Sequence, residues 1–335
     1  MRLLVVIVSY RVAHLTIDCL RSLAEEIGTM PGVHVAVCEN GSGDDSAQRI
    51  QHAIDENSWN GWCTLTAVYP NLGFTGGNNI ILRAALQSHD KPQYVLLLNA
   101  DTIVHKNAVR VLLHFMDDHP HVGIAGSRLE FPDGTPQRSA FRFHSAWSEF
   151  ESSIRLGLVS RVLSRWKVAL PVPHQSCEVD AVAGACMIIR PEVFQDIGIL
   201  DEGYYTHYED VDFCYNARKA GWPTWYVPES RITHLVGQST GLTVKNPKRF
   251  PPYFFGARRR YFLKNYGSVC AALADASLIS GLTIWRLRVL LGKTDPDPPY
   301  YLYDSLRHSV FATGFRLKNV ENPALVKDRP TREAC

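Results

Sequence analysis

Tyr94-Val95-Leu96-Leu97-Leu98-Asn99-Ala100-Asp101 is the stretch from which the fold is read. A short apolar run with no alternating polar position fits a strand buried on both faces of a parallel sheet. It ends in two polar residues at alternate positions, so the side chains of Asn99 and Asp101 leave the sheet on the same side. Working outward, Leu3 to Val8 is a second such run, and Val33 to Cys38 and Leu65 to Tyr69 are two more. Helical patterns lie between them: Leu15, Cys19, Leu20 and Leu23, then Asp45 to Asp55, then Ile80 to Gln87. The first hundred residues therefore read β-α-β-α-β-α-β, the pattern of a doubly wound sheet that binds its ligand beyond the strand C-termini.

Further along, Asn107 to His119 reads as a helix, Val122 to Gly126 as a strand and Pro132 to Gly134 as a hairpin turn. Phe143 to Ser176 has a helical, partly basic character and is a candidate mobile insertion. Val179 to Ile189 is a strand interrupted by Gly184, a helix from near Glu209 stops at Gly221, and Trp225 to Val227 is a last short strand. From Pro251 onward helices with aromatic and basic content are expected, then a tail rich in proline and charge. This divides the chain into residues 1–245 (a nucleotide-binding half, 1–101, and an acceptor half, 102–245) and an extension, 246–335.

The 335 residues suffice for a sizeable core, and 46% hydrophobic with 20% charged residues excludes a disordered chain. Net charge is +2, but it is unevenly spread: from Asn246 onward fifteen Lys/Arg face seven Asp/Glu. The acidic front suits a divalent metal and the basic end an anionic surface such as lipid head groups, although both can equally be solvated faces. The eight cysteines show no C-x-x-C pair and read as reduced and buried, which points to the cytoplasm. The N-terminus reads as a first strand and not as a signal sequence, and the best apolar run near the end, Ala276 to Trp285, is too short to span a membrane.

Four segments carry candidate chemistry. Asp101 can hold a divalent cation and Asn99 can bond a ribose hydroxyl or support the metal, while the same pair can merely cap the next helix. Asn71 to Asn79, with three glycines and three asparagines, allows close backbone approach and offers helix N–H groups to an anion. It is neither a GxGxxG opening the first helix nor a Walker A loop, which argues against a dinucleotide oxidoreductase and an ATPase. Glu39, at the end of the second strand and followed by Asn40-Gly41-Ser42, can accept hydrogen bonds from a nucleobase or ribose. Tyr204 to Cys214 sets aromatic residues before Glu209, Asp210 and Asp212 at a helix start; one of these carboxylates can act as a general base, or all can simply favour the helix dipole. His234, 24 residues after Asp210, is a candidate metal ligand at the same crevice.

Taken together, Val5 to Tyr10, Glu39 to Ser42, Asn71 to Asn79, Leu98 to Asp101, Gly184-Ala185 and Glu209 to Asp212 resemble family 2 glycosyltransferases of the GT-A fold, in particular the bacterial rhamnosyltransferase-like branch. The resemblance covers roughly residues 1 to 240. It implies an α/β fold of GT-A type, a doubly wound, mostly parallel sheet with flanking helices and a helical C-terminal extension. It implies an inverting transfer assisted by Mg²⁺ or Mn²⁺. Asp101 and His234 are then the metal ligands, with Asn99 in place of the first Asp of the Asp-x-Asp motif. Asp210 is the base, with Glu209 as second choice. Ser9, Tyr10, Glu39, Asn71, Gly73, Gly77, Asn78, Asn99, Gly184 and Ala185 are the residues that bind the nucleotide-sugar.

The implied partners are a nucleotide-sugar donor, with dTDP-rhamnose and a UDP-hexose as the candidates, and a glycan or lipid-linked acceptor in cell-surface polysaccharide synthesis. The Phe143 to Ser176 insertion is a candidate lid. Arg258-Arg259-Arg260, set among Tyr253, Phe254, Phe255, Tyr261 and Phe262, is a candidate contact with the inner face of the membrane or with the acceptor's pyrophosphate, and equally a packed helix. No nucleic-acid module is evident. Two rivals stand: a sugar nucleotidyltransferase, disfavoured because Ser9-Tyr10-Arg11-Val12 has no glycine, and an inactive sugar-binding module of the same fold, disfavoured by Asp101, Asp210 and Asp212.

Overall fold

In the computed structural model, which describes residues 1–28, 30–237, 249–294, 297–320 and 323, β1 (Leu3–Ser9) runs through a nine-stranded sheet. Leu3, Val5 and Ile7 face one core, with Leu20 and Leu23 of α1 (Ala13–Ile27), while Leu4 and Val6 face the other. That two-sided burial is why the run contains no polar position, and each enclosed aliphatic side chain contributes roughly 1.5–3 kcal/mol. β2 (Val33–Asn40), α2 (Ser46–Glu56), β3 (Cys63–Val68), α3 (Gly73–Gln87) and β4 (Val95–Asn99) complete the doubly wound half. β3, β2, β1 and β4 lie side by side and parallel.

The second half is mixed. β5 (Thr102–Val104), α4 (Ala108–Asp118), β6 (Ile124–Glu130) and β7 (Ala140–Phe141) are followed by α5 (Ala146–Ile154) and α6 (Gly157–Val162). Then come β8 (Cys177–Val179), β9 (Ala181–Val182), β10 (Cys186–Ile189), α7 (Pro191–Ile197), α8 (Glu209–Lys219) and β11 (Thr224–His234). β10 inserts antiparallel between β4 and β6, and the sheet ends in β11 and β5. The stretch read as one strand from Val179 to Ile189 is thus parts of three. β7 pairs with β9 in a separate ribbon.

The last strand is longer than the sequence indicated. Pro228 lacks an N–H and marks the end of a short strand on sequence grounds. Here a register shift between Val227 and Arg231 absorbs it, and β11 continues to His234. The 132–134 turn forms as expected, with the Gly134 N–H donating to the Phe131 carbonyl at 2.8 Å.

The C-terminal helices α9 (Pro252–Leu290), α10 (Tyr301–Arg307) and α11 (Val310–Thr313) share the second core, to which Ala257, Tyr261, Phe262, Ala274 and Val310 contribute. α9 bends where Gly267 takes a φ of 80°. Two expectations are corrected here. Arg258 is not exposed to lipid: its guanidinium lies buried between Glu149 of α5 and Asp275. Arg260 likewise turns inward onto Asp201 at 2.9 Å, and Arg259 bonds Thr313. The Phe143–Ser176 segment is not a free lid either, because that buried ion pair clamps α5 against α9. Of the described cysteines, seven are free; five of these are buried, but Cys270 is exposed, contrary to expectation. α9 is the one helix among the described residues long and apolar enough to cross a membrane by length and composition. The charged tail lies outside the described residues except at Pro323.

Candidate active site

Because β1, β2 and β4 run parallel with Val8 opposite Asn99 and Ser9 opposite Glu39, their C-terminal ends emerge together. Beyond them lies a cleft of about 500 Å³. Tyr10, Asn40, Asn71, Gly73, Asn99 and Asp101 line it from the doubly wound half. Gly184, Ala185, Glu209, Asp210 and His234 line it from the mixed half, with Tyr205, His207 and Tyr253.

Asp101 and His234 lie 133 positions apart in the chain, and sheet pairing joins them. β11 runs antiparallel to β5 with His234 opposite Thr102, which sets the His234 Nε2 3.3 Å from the Asp101 Oδ1. Asn99 Nδ2 lies 3.4 Å from the same ring nitrogen. Asp101 is 6% exposed, and the buried Oδ1 of Asn99 has no hydrogen-bond partner. An anionic oxygen, an imidazole and a free amide oxygen at one spot fit a Mg²⁺- or Mn²⁺-type cation whose other ligands come from water and phosphate. Among the described residues no group of three or more His, Cys, Asp or Glu is placed to hold a metal ion.

Asp210 and Glu209 open α8 after a strained turn in which His207 and Tyr208 take φ values of 69° and 67°. Strain of that kind costs about 1–3 kcal/mol per residue and persists only where the surroundings enforce it. The Gly184 N–H donates to Asp210 Oδ2 at 3.0 Å and the Val211 N–H to Oδ1 at 2.8 Å, which fixes the carboxylate at the cleft wall. A Cβ on Gly184 would come within 3.2 Å of the Asp210 Cβ, a tight approach that a side chain could occupy only if Asp210 shifted. Glu209 is buried, with Oε2 lacking a partner. Burial, and next the charge of Asp210, hold its pKa well above the usual carboxylate range. Asp212 faces the other way, accepting from Tyr204, Lys264 and Asn265 at 3.0, 2.6 and 2.7 Å. It ties α8 to α9 and takes no part in the cleft.

Part of the Asn/Gly segment belongs to the helix itself. α3 begins at Gly73, seven residues before the expected Ile80. Asn71 Oδ1 accepts from the Gly73 N–H at 2.7 Å, and Asn40 Oδ1 from the Leu72 N–H at 3.0 Å. Side chains thus take up the first N–H groups of the helix. Gly73 has a φ of 75°, and a Cβ there would strike Tyr205 at 2.4 Å.

Four expected donor-binding residues do not line the cleft. Ser9 shares a 2.8 Å hydrogen bond with Thr16 in the core, and Gly77 packs on Val8 within α3. Asn78 donates to the Phe74 carbonyl at 2.8 Å, and Glu39 accepts from the Ser42 N–H at 2.9 Å. Asn40, His207 and Tyr253 line the cleft without having been singled out for it. Asn40 stands beside Glu39 in a turn motif whose chemistry hid it. Tyr253 was read as part of a basic-aromatic stretch, and only the packing of α9 brings it to within 5.4 Å of Tyr205, ring centre to ring centre.

A family model described as "Glycosyltransferase like family 2" matches residues 2–250. The low-salt glycan biosynthesis hexosyltransferase Agl10 of Haloferax volcanii is 28% identical over 163 residues, 47% of this chain and 48% of that protein. The match thus spans about half the length of that relative. The N-acetylglucosaminyl-diphospho-decaprenol L-rhamnosyltransferase of Mycobacterium tuberculosis is 26% identical over 229 residues, 64% of this chain and 70% of its own. Among solved structures, the mannosyltransferase PcManGT of Pyrobaculum calidifontis, in complex with GDP-Man and Mn²⁺, superposes with a TM-score of 0.54 at 14% identity, covering 99% of this chain and 88% of its own. That likeness is one of fold, and it bears out the GT-A architecture.

Proposed function

The chain belongs to glycosyltransferase family 2, and from that premise we propose that it is an inverting enzyme moving a sugar from a nucleotide-diphosphate donor to a glycan or lipid-linked acceptor. One observation carries this reading. The Asp210 carboxylate, fixed by two backbone N–H groups, lines the same cleft as the Asp101–His234 pair. A carboxylate held at a cleft wall can take the proton of an acceptor hydroxyl as its oxygen attacks the anomeric carbon and the bond from that carbon to the phosphate oxygen breaks. A Mg²⁺ or Mn²⁺ held by Asp101 and His234, with Asn99 in support, would neutralise the leaving diphosphate. In this reading Tyr10, Asn40 and Asn71 hold the nucleotide side of the donor, while Gly184 and Ala185 back the sugar.

Of the two neighbouring acids, Asp210 suits the base better, because Glu209 is held protonated by its burial. Tyr205, His207 and Tyr253 form an aromatic wall for the sugar ring of the acceptor. Residues 1–245 are then the catalytic part, and the extension from residue 246 completes the cleft. The names of the relatives, a glycan-biosynthesis hexosyltransferase and a rhamnosyltransferase with a diphospho-decaprenol acceptor, favour a rhamnosyl or other hexosyl donor and a diphosphate-linked lipid acceptor. The unpaired thiols suit a cytoplasmic setting. The nucleotidyltransferase alternative is set aside by family membership.

The test is Asp210→Asn, assayed for transfer and, by calorimetry, for donor binding with and without Mn²⁺. Transfer should fall by about 10²–10⁴-fold, as for loss of a general base, while the donor binds as before and more tightly with metal. Undiminished turnover would remove Asp210 as the base, and donor binding indifferent to metal would remove Asp101 and His234 as ligands.

A further inference from the structure

After the bend at Gly267, α9 shows two opposite faces. Ala271, Ala274, Leu278, Leu282 and Trp285 are buried in the protein, and Asp275 is paired with Arg258. Val269, Leu273, Ala276, Ile284, Leu287 and Leu291 recur at spacings of four, three, eight, three and four, so they lie along one stripe of the helix, and all are exposed. Leu273, Leu287 and Leu291 expose 54%, 58% and 86% of their surface. The stripe carries no charge, includes the exposed hydroxyl residues Ser280 and Thr283 in its middle, and runs from Val269 to Leu291, about 33 Å at 1.5 Å per residue. An uncharged, mainly apolar strip of that length is unusual on a protein facing only water.

A second apolar surface lies next to the far end of the helix. Arg288 donates to the Arg155 carbonyl at 2.8 Å, and the Arg155 guanidinium lies over the Trp285 ring at 5.1 Å. The helix end therefore abuts the corner from which α6 departs. Leu158 and Val162, one turn apart on α6, expose 74% and 71% of their surface. Around this apolar end Arg161, Arg165 and Lys293 are exposed. Among the described residues, the nearby acids Asp297 and Glu151 pair with Arg155 and Lys167.

We propose that this face of α9 and α6 is a docking surface for a bilayer with anionic head groups, on which the protein lies with α9 along the membrane plane. The helix cannot cross the membrane, because its other face and the Asp275–Arg258 pair belong to the protein core. A second copy of the chain is a poorer occupant, since an apolar seam between two copies leaves the exposed Arg161, Arg165 and Lys293 without a role. Apolar burial at the headgroup boundary, flanked by cations over an anionic surface, satisfies both features. The surface is separate from the Arg258–Arg260 stretch, which is turned into the protein.

The test is flotation of the full-length protein, without donor or acceptor, with vesicles of phosphatidylcholine alone or mixed with phosphatidylglycerol. Binding to the anionic vesicles is expected and should weaken as salt is raised. Leu287→Glu combined with Leu291→Glu, and separately Arg161→Glu combined with Lys293→Glu, should each lower vesicle binding by on the order of tenfold. Both should leave the thermal transition and transfer to a soluble acceptor unchanged. Failure of the parent protein to float, or variants that float as it does, would overturn the proposal. So would a solution dimer that the Leu287/Leu291 variant splits. Vesicle binding by Asp210→Asn should match the parent, which keeps this result separate from the catalytic reading.

Discussion

Asp210 accepts two backbone hydrogen bonds at the edge of the cleft, whereas Glu209, one residue earlier, is buried with Oε2 lacking a partner. The raised pKa of Glu209 means that the folded protein keeps a proton that the unfolded chain releases above the ordinary glutamate value of 4.5. Its contribution therefore favours the fold at low pH and fades as pH rises past 4.5. Glu209→Gln should retain most transfer activity, and its stability relative to the parent should increase from mildly acidic to neutral pH in urea denaturation. A collapse of transfer in that variant, with donor binding kept, would return the role of base to Glu209. At this scale the polar exits Asp101 and Asp210 were legible, since each breaks an apolar pattern. Alternation speaks against Ser9 at the cleft: two positions after Ile7, it faces the core beside Thr16, while Val8 faces the cleft. A strand end gives proximity to a site, and only the side of the strand gives access to it.

Among the elements, α9 depends on a buried cation. Arg258 holds Glu149 of α5 and Asp275 together in the interior. Burial raises the pKa of Glu149, but the charge of Arg258 and the bonds from His144 and Arg258 outweigh it and leave the pKa lowered. Arg258→Met would strand two buried carboxylates and should destabilise the protein by about 3–5 kcal/mol in urea unfolding. A loss below about 1 kcal/mol would place those carboxylates in water once the arginine is gone. From sequence the same arginine stood in a run of three beside aromatic residues, which reads as surface. Helix periodicity does not show which partner a charge meets across the fold. The parallel strands were legible because burial on both faces writes itself as an unbroken apolar run. β5, with three residues, and the far half of β11, after Pro228, were not, because partners across the sheet hold them more than their own pattern does.

For the whole molecule, the family match ends at residue 250, yet Tyr253 lines the cleft and Tyr261 and Phe262 are fully enclosed in the core beneath α8. A chain cut after residue 250 should lose its cooperative thermal transition by circular dichroism, because the second core would lie open to water. A sharp transition in the shortened chain would make the extension an accessory. The doubly wound half could be anticipated from the first hundred residues; the way α5 and α9 close over it could not, since that rests on contacts between segments more than a hundred positions apart. The placement of Tyr253 also bears on how such enzymes diversify. The groups proposed for the reaction itself lie in the part of the chain that relatives share, and one wall of the cleft lies outside it. If Tyr253 meets the acceptor as proposed, substitutions in the opening turn of α9 would change which acceptor is taken while leaving the chemistry untouched, and lineages would acquire new glycans by drift in a region that family resemblance does not cover.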